Sequence, residues 1–109
     1  MPQEPYAGSM STEAVVLPSQ ALEARRSEVR HLIESSGLRN PRVFGSVARG
    51  TDAPGSDIDI LVDVPLESAW AFVSLPRQLS ELLGVHVDLV SERGLKAKHS
   101  QLLEEARPL

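Results

Sequence analysis

Apolar residues recur with helical spacing near the start of the chain and predict a helix over residues 19–36. Its apolar positions, separated by charged residues, are Leu22, Val29, Leu32 and Ile33. Ser19 is the expected N-cap, and Gly37 is the expected residue just beyond the C-terminal end.

Residues 57–64 are predicted to form a strand because their apolar residues alternate. One face carries Ile58, Ile60, Val62 and Val64, and the other carries Asp57, Asp59, Leu61 and Asp63. The middle of the segment is apolar on both faces, which predicts a central strand. Shorter strands are predicted at 42–44 and 85–90, and Pro41 is expected to keep Asn40 extended.

Three further segments are predicted to be helical. Residues 45–50 are typical of a turn that enters a short helix, and residues 95–106 have the apolar spacing of a last helix. A helix is also predicted over 68–83, where Pro76 must break it, kink it or start part of it; the simplest arrangement has Ser74 as the N-cap of a second piece.

The order of these elements predicts an α/β (α+β) fold, in which helices pack on a small mixed β-sheet. The first two strands should be antiparallel, and the helix between the last two strands predicts a parallel crossover. Trp70 and Phe72 are expected to pack in the core because of their size, and a partner-facing position is the alternative. Residues 1–18 are interpreted as a flexible tail or tag remnant, and 19–109 as one domain.

Composition excludes several classes of protein. The 109 residues include no cysteine, which excludes disulfides and cysteine-ligated zinc. No apolar run is long enough for a membrane span and no export signal is visible, so we expect a cytoplasmic protein without a membrane partner. The net charge of −4 argues against direct binding to duplex DNA.

Asp57, Asp59 and Asp88 are the candidate metal ligands and catalytic residues. Asp57 and Asp59 are two apart on a predicted strand, so both carboxylates can reach one or two hard cations such as Mg²⁺. Asp88, on the next predicted strand, can complete the site or act as a base. The alternative is a solvated pair at the start of a strand, which is costly beside a buried segment without a cation.

A phosphate-binding turn is predicted at Gly45 and Ser46, where a glycine permits close approach and a helix N-terminus offers N–H groups. Arg49, one helical turn later, suits either a phosphate or a structural ion pair. Ser56 is the remaining candidate nucleotide-binding residue.

These segments together resemble the minimal nucleotidyltransferase family of the DNA polymerase β superfamily over roughly residues 20–106. The matching stretches are Val-Phe-Gly45-Ser46-Val-Ala-Arg49-Gly50, Gly-Ser56-Asp57-Ile-Asp59-Ile-Leu-Val and Val-His-Val-Asp88-Leu-Val. The resemblance implies metal-dependent transfer of AMP from ATP to a hydroxyl. It assigns metal binding to Asp57, Asp59 and Asp88, and triphosphate binding to Gly45 and Ser46.

The resemblance also implies a partner, since members this short commonly act as antitoxins of a HEPN ribonuclease toxin and several adenylylate it. A partner or an oligomer would then supply the surface that binds the acceptor. Two alternatives stay open. One is a non-catalytic antitoxin that neutralises its partner by forming a complex, and the other is a transferase acting on a small molecule.

Other polar residues are left with two interpretations. His86 shares a strand face with Asp88, but a polar strand residue is favoured over a site residue. A basic group follows the third strand and comprises Arg93, Lys96 and Lys98. It is expected to be a solvated helix face, and a contact with phosphate or with a partner is the alternative. Asp52 and Asp63 are predicted to be loop or surface residues.

Overall fold

The computed structural model describes residues 16–109, so most of the predicted tail lies outside the described residues. The helices are α1 (Pro18–Ala24), α2 (Arg26–Ser35), α3 (Gly45–Arg49), α4 (Ala69–Leu83) and α5 (Glu92–Lys98), with 3₁₀ turns at Leu66–Ser68 and Ser100–Glu105. The strands are β1 (Arg39–Phe44), β2 (Ile58–Asp63), β3 (Val87–Ser91) and β4 (Arg107–Pro108). Within this part of the chain, every helix is too short or too polar to cross a bilayer.

The four strands form one mixed sheet in the order β3-β2-β1-β4. β1 is antiparallel to β2, and β2 is parallel to β3 through the α4 crossover, so both predicted pairings are confirmed. The edge strand β4, which pairs with β1, was not predicted. It has only two residues and shows no periodicity, so only its tertiary pairing defines it.

Strand β2 is buried on both faces, as its apolar centre predicted. On one face, helices α1, α2 and α4 contribute to a core that contains Leu22, Val29, Ile33, Ile58, Ile60, Val62, Leu75 and Leu79. On the other face, Leu61 and Phe44 pack with Leu95 of α5 and with side chains from the 3₁₀ turn. The C-terminal segment therefore covers the sheet face to which Leu61 belongs.

The helix predicted over residues 19–36 is two helices and not one. Arg25, with φ −131°, separates α1 from α2. Ser19 is not an N-cap; it lies inside α1, and its backbone N–H donates to Asp52 Oδ2 at 2.8 Å. Asp52 is thus a capping residue contributed by a distant loop. Gly37 lies beyond α2 with φ +91°, as expected.

Two proline-based predictions also fail. Asn40 is not extended but has φ +52°, at an irregularity in the pairing of β1 with β2. Proline disfavours the right-handed helical region for the residue before it, whereas asparagine tolerates the left-handed one. Pro76 does not break α4, and Ser74 caps no second piece. Leu75 and Leu79 are buried on one continuous helix face, and this packing offsets the hydrogen bond that proline cannot make.

The predicted last helix over 95–106 is two elements. Helix α5 begins earlier, at Glu92, where Ser91 Oγ accepts the Gly94 N–H at 3.0 Å. His99, with φ −143°, then separates α5 from the 3₁₀ turn. The 3₁₀ turn that follows contacts α3 and β1.

Trp70 is not a core residue, since it is 78% exposed. Leu66, at 92%, and Val73, at 68%, are also exposed. Leu66 lies in the 3₁₀ turn just before α4, and Trp70 and Val73 lie on α4; we call these three exposed residues the α4 stripe. Phe72, on another side of α4, does pack against the core as predicted.

Candidate active site

The site lies at the amino-terminal ends of β2 and β3, next to the carboxyl-terminal end of β1. The register pairs Asp59 with Phe44 on one side and with Asp88 on the other. Asp57 directly precedes β2, and Gly45 directly follows β1. The sheet thus brings the predicted Gly-Ser turn and the predicted aspartates to one edge.

Asp57, His86 and Asp88 form a potential cation site at this edge. Each offers one ligand atom, and these atoms lie within 4.8 Å of one another. His86 Nε2 is 3.1 Å from Asp88 Oδ1. All three side chains are exposed, so a ligand can reach them from solvent. The structure therefore adds His86 to the predicted set; its position two residues before Asp88 was the available clue.

Asp59 lies outside this group of three, and its surroundings disfavour its charged form. Burial, followed by the charges of Asp88 and Asp57, raises the pKa of Asp59 from 3.8 to about 6. Arg49 and His86 act in the opposite direction. A half-buried carboxylate beside two others is a place where a divalent cation would relieve repulsion. Carboxylate oxygens are ligands that Mg²⁺ accepts, so the donor set fits a metal.

Gly45 is required by both conformation and space. Its φ is +76°, in the region that favours glycine, and a β-carbon there would overlap Asp59 Oδ2. The turn can therefore lie directly against the Asp59 carboxylate only because residue 45 has no side chain. Ser46 follows, half-buried, in the first turn of α3.

Glu105 was missed by sequence reasoning. Its Oε1 accepts the Gly45 backbone N–H at 3.1 Å and Arg49 Nη1 at 2.8 Å. For Arg49 the structure thus shows the ion-pair alternative. No local pattern marks Glu105, because it comes from the 3₁₀ turn that replaced part of the predicted helix. The carboxylate fixes the Gly-Ser turn to the C-terminal segment.

Ser56 has a local structural contact. Its Oγ accepts the Ala53 N–H at 3.0 Å, within the turn that leads into β2. The hydroxyl thus shapes the approach to Asp57.

The fold and this edge of the sheet define a nucleotidyltransferase domain. Residues 27–109 match the family model described as "nucleotidyltransferase domain". The chain belongs to this family, so the resemblance carried by Gly45-Ser46, Asp57-x-Asp59 and Asp88 is confirmed, and with it the enzyme class.

Several relatives are similar over most of the chain. The protein adenylyltransferase MntA of Thermococcus cleftensis is 43% identical over 77 residues, which cover 70% of this chain and 75% of that protein. A solved structure of a minimal nucleotidyltransferase is 44% identical, with a TM-score of 0.73, and the match covers 84% of this chain and 95% of the other. A crystal structure of a toxin–antitoxin with AMP-PNP is 26% identical, with a TM-score of 0.61 and coverage of 75% and 69%.

Proposed function

We propose that the domain at residues 19–109 transfers AMP from ATP to a hydroxyl of a HEPN-type toxin and so acts as its antitoxin. The observation that carries this proposal is the meeting of Asp57, Asp59 and Asp88 with the Gly45-Ser46 turn at one edge of the sheet. Similarity to a protein adenylyltransferase and to a toxin–antitoxin structure supports it. A reaction that uses ATP fits a cytoplasmic location.

Asp57, Asp59 and Asp88 would hold Mg²⁺, and His86 lies close enough to contribute a fourth ligand. When bound, the metal would offset the charge of the triphosphate and align it for displacement. The Ser46 hydroxyl would donate to a phosphate oxygen beside it. The Gly45 N–H is already bonded to Glu105, so phosphate contacts from the backbone would begin at Ser46.

Asp88 would assist the acceptor. It is exposed at the mouth of the site, and a carboxylate there can accept the proton of an entering hydroxyl. The acceptor oxygen would form a bond to the α-phosphorus as the bond to pyrophosphate breaks. Asp59, deeper and half-buried, would remain a ligand.

A protein acceptor fits the exposure of the site and of the α4 stripe. The ligand atoms of Asp57, His86 and Asp88 are open to solvent, so a side chain on a large partner can reach them. The α4 stripe exposes three large apolar side chains, which is typical of protein contacts. Because the stripe lies on α4 and the turn before it, and not among the carboxylates, it also favours a second candidate, an antitoxin that neutralises by binding alone.

The test uses ATP labelled at the α-phosphate, Mg²⁺, the purified chain and the toxin as acceptor. Label should appear on the toxin and disappear with Asp57→Asn. The matched control is Glu67→Gln, which removes an exposed carboxylate outside the site and should retain labelling. Labelling that persists in an Asp57→Asn, Asp59→Asn double variant contradicts the proposal. A neutralising complex without label supports binding alone.

A further inference from the structure

A cavity lies at the end of the sheet opposite the candidate active site. It has a volume of about 640 Å³ and is lined by residues at the carboxyl ends of β2 and β3 and at the start of β1. The side chains used below are Arg39, Asp63, Pro65, Glu92, Arg93 and Lys96. Its volume lies within the range of roughly 300–1,000 Å³ that small-molecule sites occupy.

This cavity is separate from the candidate active site. β2 and β3 are parallel, so Asp57 and Asp88 lie toward their amino ends, whereas Asp63 and Ser91 are their last residues. Strands rise about 3.3 Å per residue, so the two ends of β2 are roughly 17 Å apart. In open α/β sheets, ligands commonly bind beyond the carboxyl ends of the strands. That end is the one that the nucleotidyltransferase site leaves vacant.

The carboxylates in the cavity wall already have a cationic partner. Arg42 Nη2 lies 2.9 Å from Asp63 Oδ1 and 3.3 Å from Glu92 Oε1, and the Arg42 side chain is only 15% exposed. This guanidinium offsets one of the two negative charges, so one negative charge is left for the other cations of the cavity to offset. Asp63, predicted as a loop or surface residue, is 43% exposed and takes part in this ion pair.

Three cations remain. Arg39, Arg93 and Lys96 line the cavity, are exposed, and form no ion pair with any residue between 16 and 109. They come from β1 and α5, so the fold gathers them from distant parts of the sequence. With Arg42, the cations at the cavity outnumber its two carboxylates, so the cavity is positively charged in a chain of net charge −4. This charge favours an anionic ligand.

We propose that this cavity binds a small phosphate ester of about nucleotide size. Two guanidinium groups can each engage phosphate oxygens in pairs, and an ammonium adds a point charge. Val64 and Pro65 supply an apolar wall for the rest of the ligand. A long nucleic acid is disfavoured, because it needs many phosphate contacts and would approach a chain of net negative charge.

The test is binding of a fluorescent ATP analogue, followed by anisotropy, to the full chain in EDTA. EDTA removes the divalent cations that the proposed transfer reaction needs, so metal-free binding does not depend on the proposed transferase activity. We expect saturable binding that Arg93→Gln, Lys96→Gln weakens at least tenfold. The matched control is Lys98→Gln, on the same helix but outside the cavity lining, which should stay within twofold.

Two more arms test the location and the ligand. Ser46→Ala, at the other end of the sheet, should leave the metal-free binding within twofold. Circular dichroism melting of each variant separates lost binding from lost folding. The proposal is overturned if the analogue does not bind in EDTA, if the double variant binds as the wild type does, or if Ser46→Ala abolishes binding. A 12-nucleotide RNA that binds through these cations while the nucleotide does not would overturn the size assignment.

Discussion

Replacement of Asp59 by asparagine should stabilise the metal-free protein at neutral and alkaline pH. Burial and two neighbouring carboxylates hold the pKa of Asp59 near 6, above its usual 3.8. The folded chain therefore retains a proton on Asp59 between these two values, while the unfolded chain releases it. Wild-type stability must fall as pH rises from about 4 to 6 and stay lower above that, whereas asparagine avoids this loss.

The size of the effect follows from the pKa. A rise of about two pKa units corresponds to roughly 3 kcal/mol at most, at about 1.36 kcal/mol per unit. Because Asp59 is only half-buried, solvent screens part of this, and we expect about 1 kcal/mol. For a domain of this size, 1 kcal/mol moves Tm by roughly 4–8 °C.

The assay is thermal and denaturant unfolding of wild type and Asp59→Asn in EDTA at pH 4.5 and pH 8. The variant should gain about 1 kcal/mol relative to wild type between the two pH values. Glu67→Gln, which removes an exposed carboxylate outside the site, is the matched control. At pH 8, Mg²⁺ should stabilise the wild type more than the variant, because the cation then offsets the charge at residue 59.

Two results would refute this reasoning. If Asp59→Asn is no more stable than wild type at either pH value, Asp59 is not destabilised by burial and by repulsion from Asp88 and Asp57. If Mg²⁺ stabilises wild type and variant equally, Asp59 does not contribute to cation binding.

Three further substitutions test separate features. Gly45→Ala should lose at least tenfold in activity and about 1 kcal/mol or more in stability. The control Gly50→Ala, with the same positive φ but open space around it, should lose only about 1 kcal/mol in stability. Equal losses of activity in the two variants would contradict the role of close approach at Gly45. Glu105→Gln should lower the free energy of unfolding in denaturant by about 1 kcal/mol, since it weakens two hydrogen bonds to a charged acceptor. The control Glu104→Gln should lower it by nothing measurable. Equal losses in the two variants would contradict the contacts assigned to Glu105. Trp70→Ser should change the free energy of unfolding by less than about 0.5 kcal/mol, because the ring is exposed. The same variant should bind the toxin more weakly in calorimetry. A large loss of stability would show that the ring is packed.

Much of the site was predictable because its determinants are local. Period-two alternation around Ile58 identified β2, and a turn directly after β1 identified Gly45 and Ser46. Asp57 and Asp88 could be expected to meet, since a helical crossover makes neighbouring parallel strands out of their segments. His86 and Glu105 were not assigned, because a single polar residue carries no period and its role depends on what packs opposite.

The amino-acid sequence by itself determined the mixed fold, the central position of β2, the nucleotidyltransferase motifs and the enzyme class. Tertiary structure alone decided that α4 continues through Pro76, that Trp70 faces solvent and that residues 107–108 pair as an edge strand. It also decided that Glu105 meets the Gly-Ser turn. The physical reason is the sequence separation of the interacting residues. Alternation, caps and turns act over a few residues, whereas these outcomes depend on contacts between segments far apart in the chain.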